Sequence, residues 1–245
     1  MRTLAVFHLK GGVGKTTTAV NIAALAAQDN IRTLLWDLDP QAGASWILAA
    51  DTLQKQNKLW QGDCPVGSVV VTTQWPKLDV LPADLSLRKL QQTVASKADA
   101  ERQMRNWLDQ LSEIYGLIVI DCPPSLTPQM EGVLRAVDRI MVPVQPSLLS
   151  IRAYDDIRQH CSWSKNKQWL PFVSMIDKRK PGHVRWVQDE AKRYAELLPV
   201  VVAQSASAER MLEQRVPVVY SQPEVPLARN FAALWRAMKP RLSLT

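Results

Sequence analysis

Lys10-Gly11-Gly12-Val13-Gly14-Lys15-Thr16-Thr17 follows a short apolar run, Thr3 to Phe7, and opens a stretch of small and aliphatic residues, Thr17 to Ala27. That succession reads as strand, glycine-rich turn and buried helix. Glycines lack side chains, so backbone N–H groups at such a turn can converge on phosphate oxygens at the helix start. The usual phosphate-binding spacing wants Gly, four residues, then Gly-Lys-Ser/Thr, and Leu9 stands where the first glycine belongs. The remaining chemistry is kept. Gly11, Gly12, Val13 and Gly14 form the cradle, Lys15 is spaced to reach the β- and γ-phosphates of a nucleotide, the Thr16 hydroxyl to bind Mg²⁺, and Thr17 to contact the α-phosphate. A three-glycine turn alone serves structure as readily as phosphate; the Lys-Thr-Thr that follows it and the strand before it decide for phosphate.

Further strand patterns lie at Arg32 to Trp36 ending at Asp37, Leu78 to Leu81, Leu117 to Ile120 ending at Asp121, and Arg139 to Val142, with Phe172 to Ile176 and Val200 to Val202 beyond. Helical patterns fall near residues 84–95, 98–114, 150–160, 182–198, 207–215 and 226–239. Residues 51–77, with Gly62, Pro65, Gly67 and Pro76, read as an irregular surface connection. Apolar strands alternating with helices predict an α/β fold, a mostly parallel sheet flanked by helices on both faces, in one P-loop domain over 1–245. Ligands in that architecture sit at the carboxyl ends of strands, where residues 10–17, 37–41 and 121–124 all fall. Asp121 has the position of a carboxylate that holds Mg²⁺ or one of its waters, and a helix cap or turn would use the same residue type. Asp37 and Asp39, two apart in an extended segment, are expected to point the same way, one of them to orient or deprotonate an attacking water.

Composition narrows the classes. Hydrophobic residues make up 47% and charged residues 22%, as in an ordinary folded domain. No run of eighteen apolar residues occurs and Met1 leads directly into the first strand, so a cytoplasmic protein is expected. Cys64, Cys122 and Cys161 have no C-x-x-C spacing, against a disulfide framework or a cysteine-held cluster. Residues 1–151 carry 14 basic and 14 acidic side chains, residues 152–245 carry 16 and 9, so the net +7 lies in the last part of the chain. The asymmetry suggests a polyanionic partner, nucleic acid or acidic lipid, although a basic solvated face has the same composition.

Taken together, these blocks resemble the ParA/MinD family of deviant Walker A ATPases. Lys10 before the glycines is that family's mark; Asp37-Leu38-Asp39-Pro40-Gln41 with Ser45 looks like its switch I, and Ile120-Asp121-Cys122-Pro123-Pro124-Ser125 like its switch II. Val142 to Ser147 with Ile151-Arg152-Ala153 looks like a further family segment. The resemblance implies ATP and Mg²⁺ as ligands and an ATP-dependent homodimer in which Lys10 crosses to the partner's nucleotide. It implies Lys10, Lys15 and Asp39 as catalytic, with Asp39 activating water, and Thr16 and Asp121 at the metal. The phosphate loop by residue 10 leaves no room for an amino-terminal helix-turn-helix, so the likeness is to the short ParA branch. Such proteins bind DNA non-specifically and are released by a ParB-like or other adaptor on a cargo such as a plasmid, chromosome or protein assembly, which implies a nucleoid-associated location. DNA-binding candidates are Lys178, Arg179, Lys180, Arg185, Lys192, Arg193, Arg210 and Arg215; Arg185, Lys192 and Arg193 share one helical face by spacing, with Asp189 and Glu196 as potential pairs. His8 and Leu9 depart from the polar residues that relatives often carry before the lysine, and Ser205-Ala206-Ser207-Ala208 replaces the usual Ile-Pro-Arg-Asn-like segment. A MinD-like membrane-associated ATPase is the main alternative, since Leu227, Phe231, Leu234, Trp235 and Met238 form an apolar stripe that suits either a membrane or the core. A ligase of the same superfamily would need a substrate pocket that the sequence does not reveal.

Overall fold

A computed structural model describes residues 1–48, 56–89, 96–161, 163, 165 and 167–244. Eight strands form one sheet: β1 (Arg2–Val6), β2 (Thr33–Asp37), β3 (Val71–Thr72), β4 (Leu78–Leu81), β5 (Leu117–Asp121), β6 (Arg139–Val144), β7 (Gln168–Ile176) and β8 (Val201–Ala203). Their order is β3-β4-β2-β5-β1-β6-β7-β8, and every pairing is parallel except β3 with β4. The alternation along β1 divides the core. Leu4 and Val6 face one cluster with α1 (Lys15–Gln28) and the last helix, Pro226–Met238; Ala5 and Phe7 face the other with helices Lys97–Leu111 and Pro128–Ala136. Covering both faces is why the central strands read as continuous apolar runs.

Pairing register sets the functional edge. Val6 and Asp37 both lie opposite Asp121, so the loops leaving β1, β2 and β5 emerge side by side. Within α1, residues Thr18 to Ala27 are all buried, and their small side chains let the helix lie between the sheet and the last helix.

Several expectations change. Residues 51–77 are not simply irregular: α3 (Gln56–Gln61), a 3-10 turn (Val66–Val69) and β3 occur there, with residues 49–55 outside the described residues. Gln56 supplies the order. Fully buried, it donates from Nε2 to the Asp37 and Pro82 carbonyls at 2.7 and 2.8 Å and accepts from the Trp36 indole at 3.1 Å. Of the helix expected at 84–95, a 3-10 turn covers Leu85–Lys89 and residues 90–95 lie outside the described residues. The pattern at 182–198 resolves into a helix at Pro181–Arg185, a π-helical turn at Trp186–Glu190 and a 3-10 turn at Ala191–Arg193. Two changes of pitch remove the 3.6-residue spacing that aligned Arg185, Lys192 and Arg193. Glu196 lies beyond these turns and pairs with Arg158 and the Tyr154 hydroxyl. In the last helix Leu227, Phe231, Leu234, Trp235 and Met238 are buried, so its apolar stripe packs on the core. Among the described residues no helix is long and apolar enough to cross a membrane.

Candidate functional site

The loop after β1 takes its shape from two glycines in the left-handed region, Gly12 at φ 70° and Gly14 at φ 90°. Gly14 caps α1, and a Cβ there would stand 3.3 Å from Ser174 Oγ. That serine donates to the Val13 carbonyl at 2.8 Å, so β7 braces the loop from behind. It does so at an irregular point of the strand: the register with β8 shifts between Val173 and Ile176, and Met175 takes φ 54°. Thr18 Oγ1 donates to the Gly14 carbonyl at 2.7 Å, closing the first turn of α1.

Lys15 is 7% exposed and folds back so that Nζ donates to the Lys10 carbonyl at 3.2 Å. Burial lowers its pKa, and the nearby Asp121 and Asp39 oppose the shift. Asp121 ends β5 with no exposure, and its carboxyl oxygens make no hydrogen bond of good geometry, the Thr16 hydroxyl lying near enough only to favour the charged form. Burial, reinforced by Asp37, raises its pKa well above the carboxylate range; Thr16 and Lys15 pull it down. Asp37 is equally buried, but accepts from Asp39 N at 3.0 Å, from Ser45 N at 2.9 Å and from Ser45 Oγ at 2.7 Å. Burial raises its pKa to about 6 against those three donors. Three donors favour the charged form of Asp37, whereas Asp121 has the Thr16 hydroxyl and Lys15 against its burial and is the more strongly raised of the two.

The expectation that Asp37 and Asp39 point together is therefore corrected. The chain leaves the strand after Asp37, period-two alternation ends there, and Asp37 turns inward onto Ser45 at the start of α2 (Gly43–Leu48) while Asp39 lines the cavity.

That cavity, of about 820 Å³, runs from Gly11, Gly12, Gly14 and Lys15 through Thr18, with Asp39, to a far wall of Met175 to Arg179, Val202 to Ala206, Leu227 and Phe231. Its size suits a small ligand or cofactor. From sequence, residues of the far wall were named in other roles, Lys178 and Arg179 as DNA-binding candidates, Leu227 and Phe231 in an apolar stripe, and Ser205 and Ala206 in the segment that departs from the family pattern, but were not brought together as a wall. The one available signal was that β7 and β8 end there.

Lys10 extends away from Lys15. Its Nζ donates to Gln145 Oε1 at 2.7 Å and Ser147 Oγ at 3.1 Å, two partners unassigned from sequence. The eight basic candidates do not form one face. Lys178 and Arg179 line the cavity, and Arg179 grips Asp177 through Nε and Nη2 at 2.9 and 3.0 Å, pushing that carboxyl down to about 2. Lys180, Arg185, Lys192 and Arg193 are exposed along the irregular helical stretch. Arg210 donates to Ser207 Oγ at 2.9 Å, whereas Arg215 stacks on Trp46, its guanidinium 4.1 Å from a ring centroid.

Residues 1–167 match the AAA domain family. The chromosome partitioning protein ParA of Caulobacter vibrioides is 37% identical over 150 residues, 59% of this chain and 56% of that protein. The sporulation initiation inhibitor protein Soj of Bacillus subtilis is 35% identical over 147 residues, 59% and 58% of the two chains. The match thus spans little more than half the length of these curated relatives. Among solved structures, the septum site-determining protein MinD of Pyrococcus horikoshii complexed with Mg-ADP superposes with a TM-score of 0.78 at 19% identity, covering 96% of this chain and 94% of that one.

Proposed function

The chain belongs to the AAA domain family, in its ParA/MinD branch, and from that premise we propose that it is an ATP-hydrolysing molecular switch that dimerises with ATP, binds DNA without sequence preference and positions or segregates a cargo through a ParB-like or other adaptor. We take residues 1–245 to act as one domain. The observation that carries the reading is Asp121: a fully buried carboxyl beside the phosphate loop, with no hydrogen bond of good geometry and only the Thr16 hydroxyl near, is costly unless a ligand uses it. Oxygen donors of this kind suit Mg²⁺, which Thr16 and Asp121 would hold. When bound there, the cation supplies charge neutralisation at the phosphates.

The protein's own groups account for the rest. N–H groups from Gly11 to Thr17 bind the phosphate chain of ATP, with the positive end of α1 behind them. Lys15, partly stripped of solvent, acts on the phosphates at high electrostatic strength. Asp39 orients and accepts a proton from the attacking water, held in place by the Asp37–Asp39 N hydrogen bond. Lys10 neutralises charge on the nucleotide of a second copy, the task an arginine finger performs elsewhere. The burial of the last helix's apolar stripe supports DNA over a membrane as the surface, and the exposed basic side chains from Lys178 to Arg193 supply phosphate contacts.

A salt-titrated DNA-binding assay with ATP and with ADP, run beside anionic liposomes, tests the proposal. DNA binding that requires ATP and weakens steeply with salt is expected. Binding indifferent to nucleotide, or confined to liposomes, overturns it.

A further inference from the structure

His8 sits where β1 gives way to the phosphate loop and is fully buried. Its Nδ1 accepts the Lys10 main-chain N–H at 2.9 Å, so the neutral ring carries its proton on Nε2. Nε2 then donates to the Ser150 carbonyl at 3.1 Å, with the Ser150 hydroxyl equally near. Protonating Nδ1 would oppose two donors, and burial, with the charge of Lys15, holds the pKa down to about 4. At neutral pH the ring is a fixed, uncharged connector.

The Lys10 side chain reaches the same segment independently, through Gln145 and Ser147. The two routes join, because Ser150 Oγ accepts the Gln145 N–H at 3.0 Å. Fixing the amine alone leaves a lysine's backbone and its flexible stem free to vary. Fixing the main chain as well makes one unit of Lys10 and the start of the helix Leu148–His160.

We propose that His8 is a positioning residue that docks Lys10 onto the segment Gln145 to Ser150, so that the lysine is held, and released, together with that segment. The consequence for turnover rests on the function proposed above; the docking does not.

Trace acetylation of the nucleotide-free protein, read by mass spectrometry with exposed Lys178 as internal reference, tests the docking directly. His8→Asn keeps an acceptor for the Lys10 N–H, as asparagine does two residues before a turn donor, but is too short for Ser150. Lys10 labelling should rise severalfold, toward the level of the double variant Gln145→Ala/Ser147→Ala, which removes both acceptors of the amine. His8→Gln, whose longer amide spans both partners, should restore protection. Lys10 labelling unchanged in His8→Asn, or unprotected in a folded His8→Gln, overturns the proposal. With ATP, His8→Asn should lower kcat about tenfold and leave KM unchanged, since His8 does not line the cavity. A raised KM with unchanged kcat counts against positioning. Absence of any turnover in the wild type would refute the ATPase reading while leaving the labelling result standing.

Discussion

The two ends of the cavity are built by different means. The phosphate end comes from contiguous residues, Gly11 to Thr18, whose shape is written into two left-handed glycines and a single brace from Ser174. The far end is assembled from three separate segments, around residues 175–179, 202–209 and 227–231, and its polar contact is an exposed Arg179–Asp177 pair. A binding surface encoded in the backbone tolerates little and is recognisable from a few letters. One encoded in packing spreads its requirements over many positions, each replaceable.

Lys15→Ala strikes the first kind of surface hardest. ATP affinity should fall by roughly a hundredfold or more, since a charge-assisted phosphate contact is lost, and ATP-dependent dimers should vanish. Titration with a fluorescent nucleotide measures the first effect and light scattering the second; wild-type affinity would break the contrast between the ends. Asp39→Ala should preserve nucleotide binding and cut turnover about a hundredfold, the scale of a lost general base. Steady-state phosphate release decides it, and normal rates would remove Asp39 from the chemistry.

Asp121→Asn sharpens the comparison through stability. The folded pKa of Asp121 is raised, so its favourable contribution is full below the unfolded carboxyl value and is lost as pH rises through the folded one. Without nucleotide or Mg²⁺, the variant should therefore be more stable than the wild type at pH 8, with the gap closing toward pH 4. Urea denaturation at the two pH values measures it, and Mg²⁺-dependent nucleotide binding should be lost in the same variant. Arg179→Gln, at the far end, has the smallest expected effect. A solvent-screened ion pair contributes little, so nucleotide affinity should stay within about fivefold. A larger loss would mean that the far wall is as specified as the near one.

The same division governs what the sequence disclosed. β1, β2, β5 and β6 were legible because burial on both faces makes them short, uninterrupted apolar runs. The helix Pro128–Ala136 escaped notice although Thr127 before Pro128 is a start signal and its hydroxyl does accept the Met130 N–H at 3.2 Å. Its nine residues offer too little periodicity after Pro123-Pro124. Lys10 was singled out, but Gln145, Ser147 and Ser174 lie 135 to 161 positions from their partners, and only the assembled sheet brings them near. The basic residues were found by composition, which counts charges and is silent on their directions. Arg215 is the instance: a phosphate ligand by type, it is engaged with Trp46 in the fold.

The bond from Ser174 to the Val13 carbonyl has a consequence for biosynthesis. The phosphate loop leaves the ribosome ahead of its supports, since β1 pairs with strands beginning at Leu117 and Arg139, and the brace on the loop waits for Ser174. Domains are synthesised from the amino terminus onward, so a nascent chain carries its nucleotide signature long before it can shape it. Truncated products that stop before β7 would carry the motif without the grip.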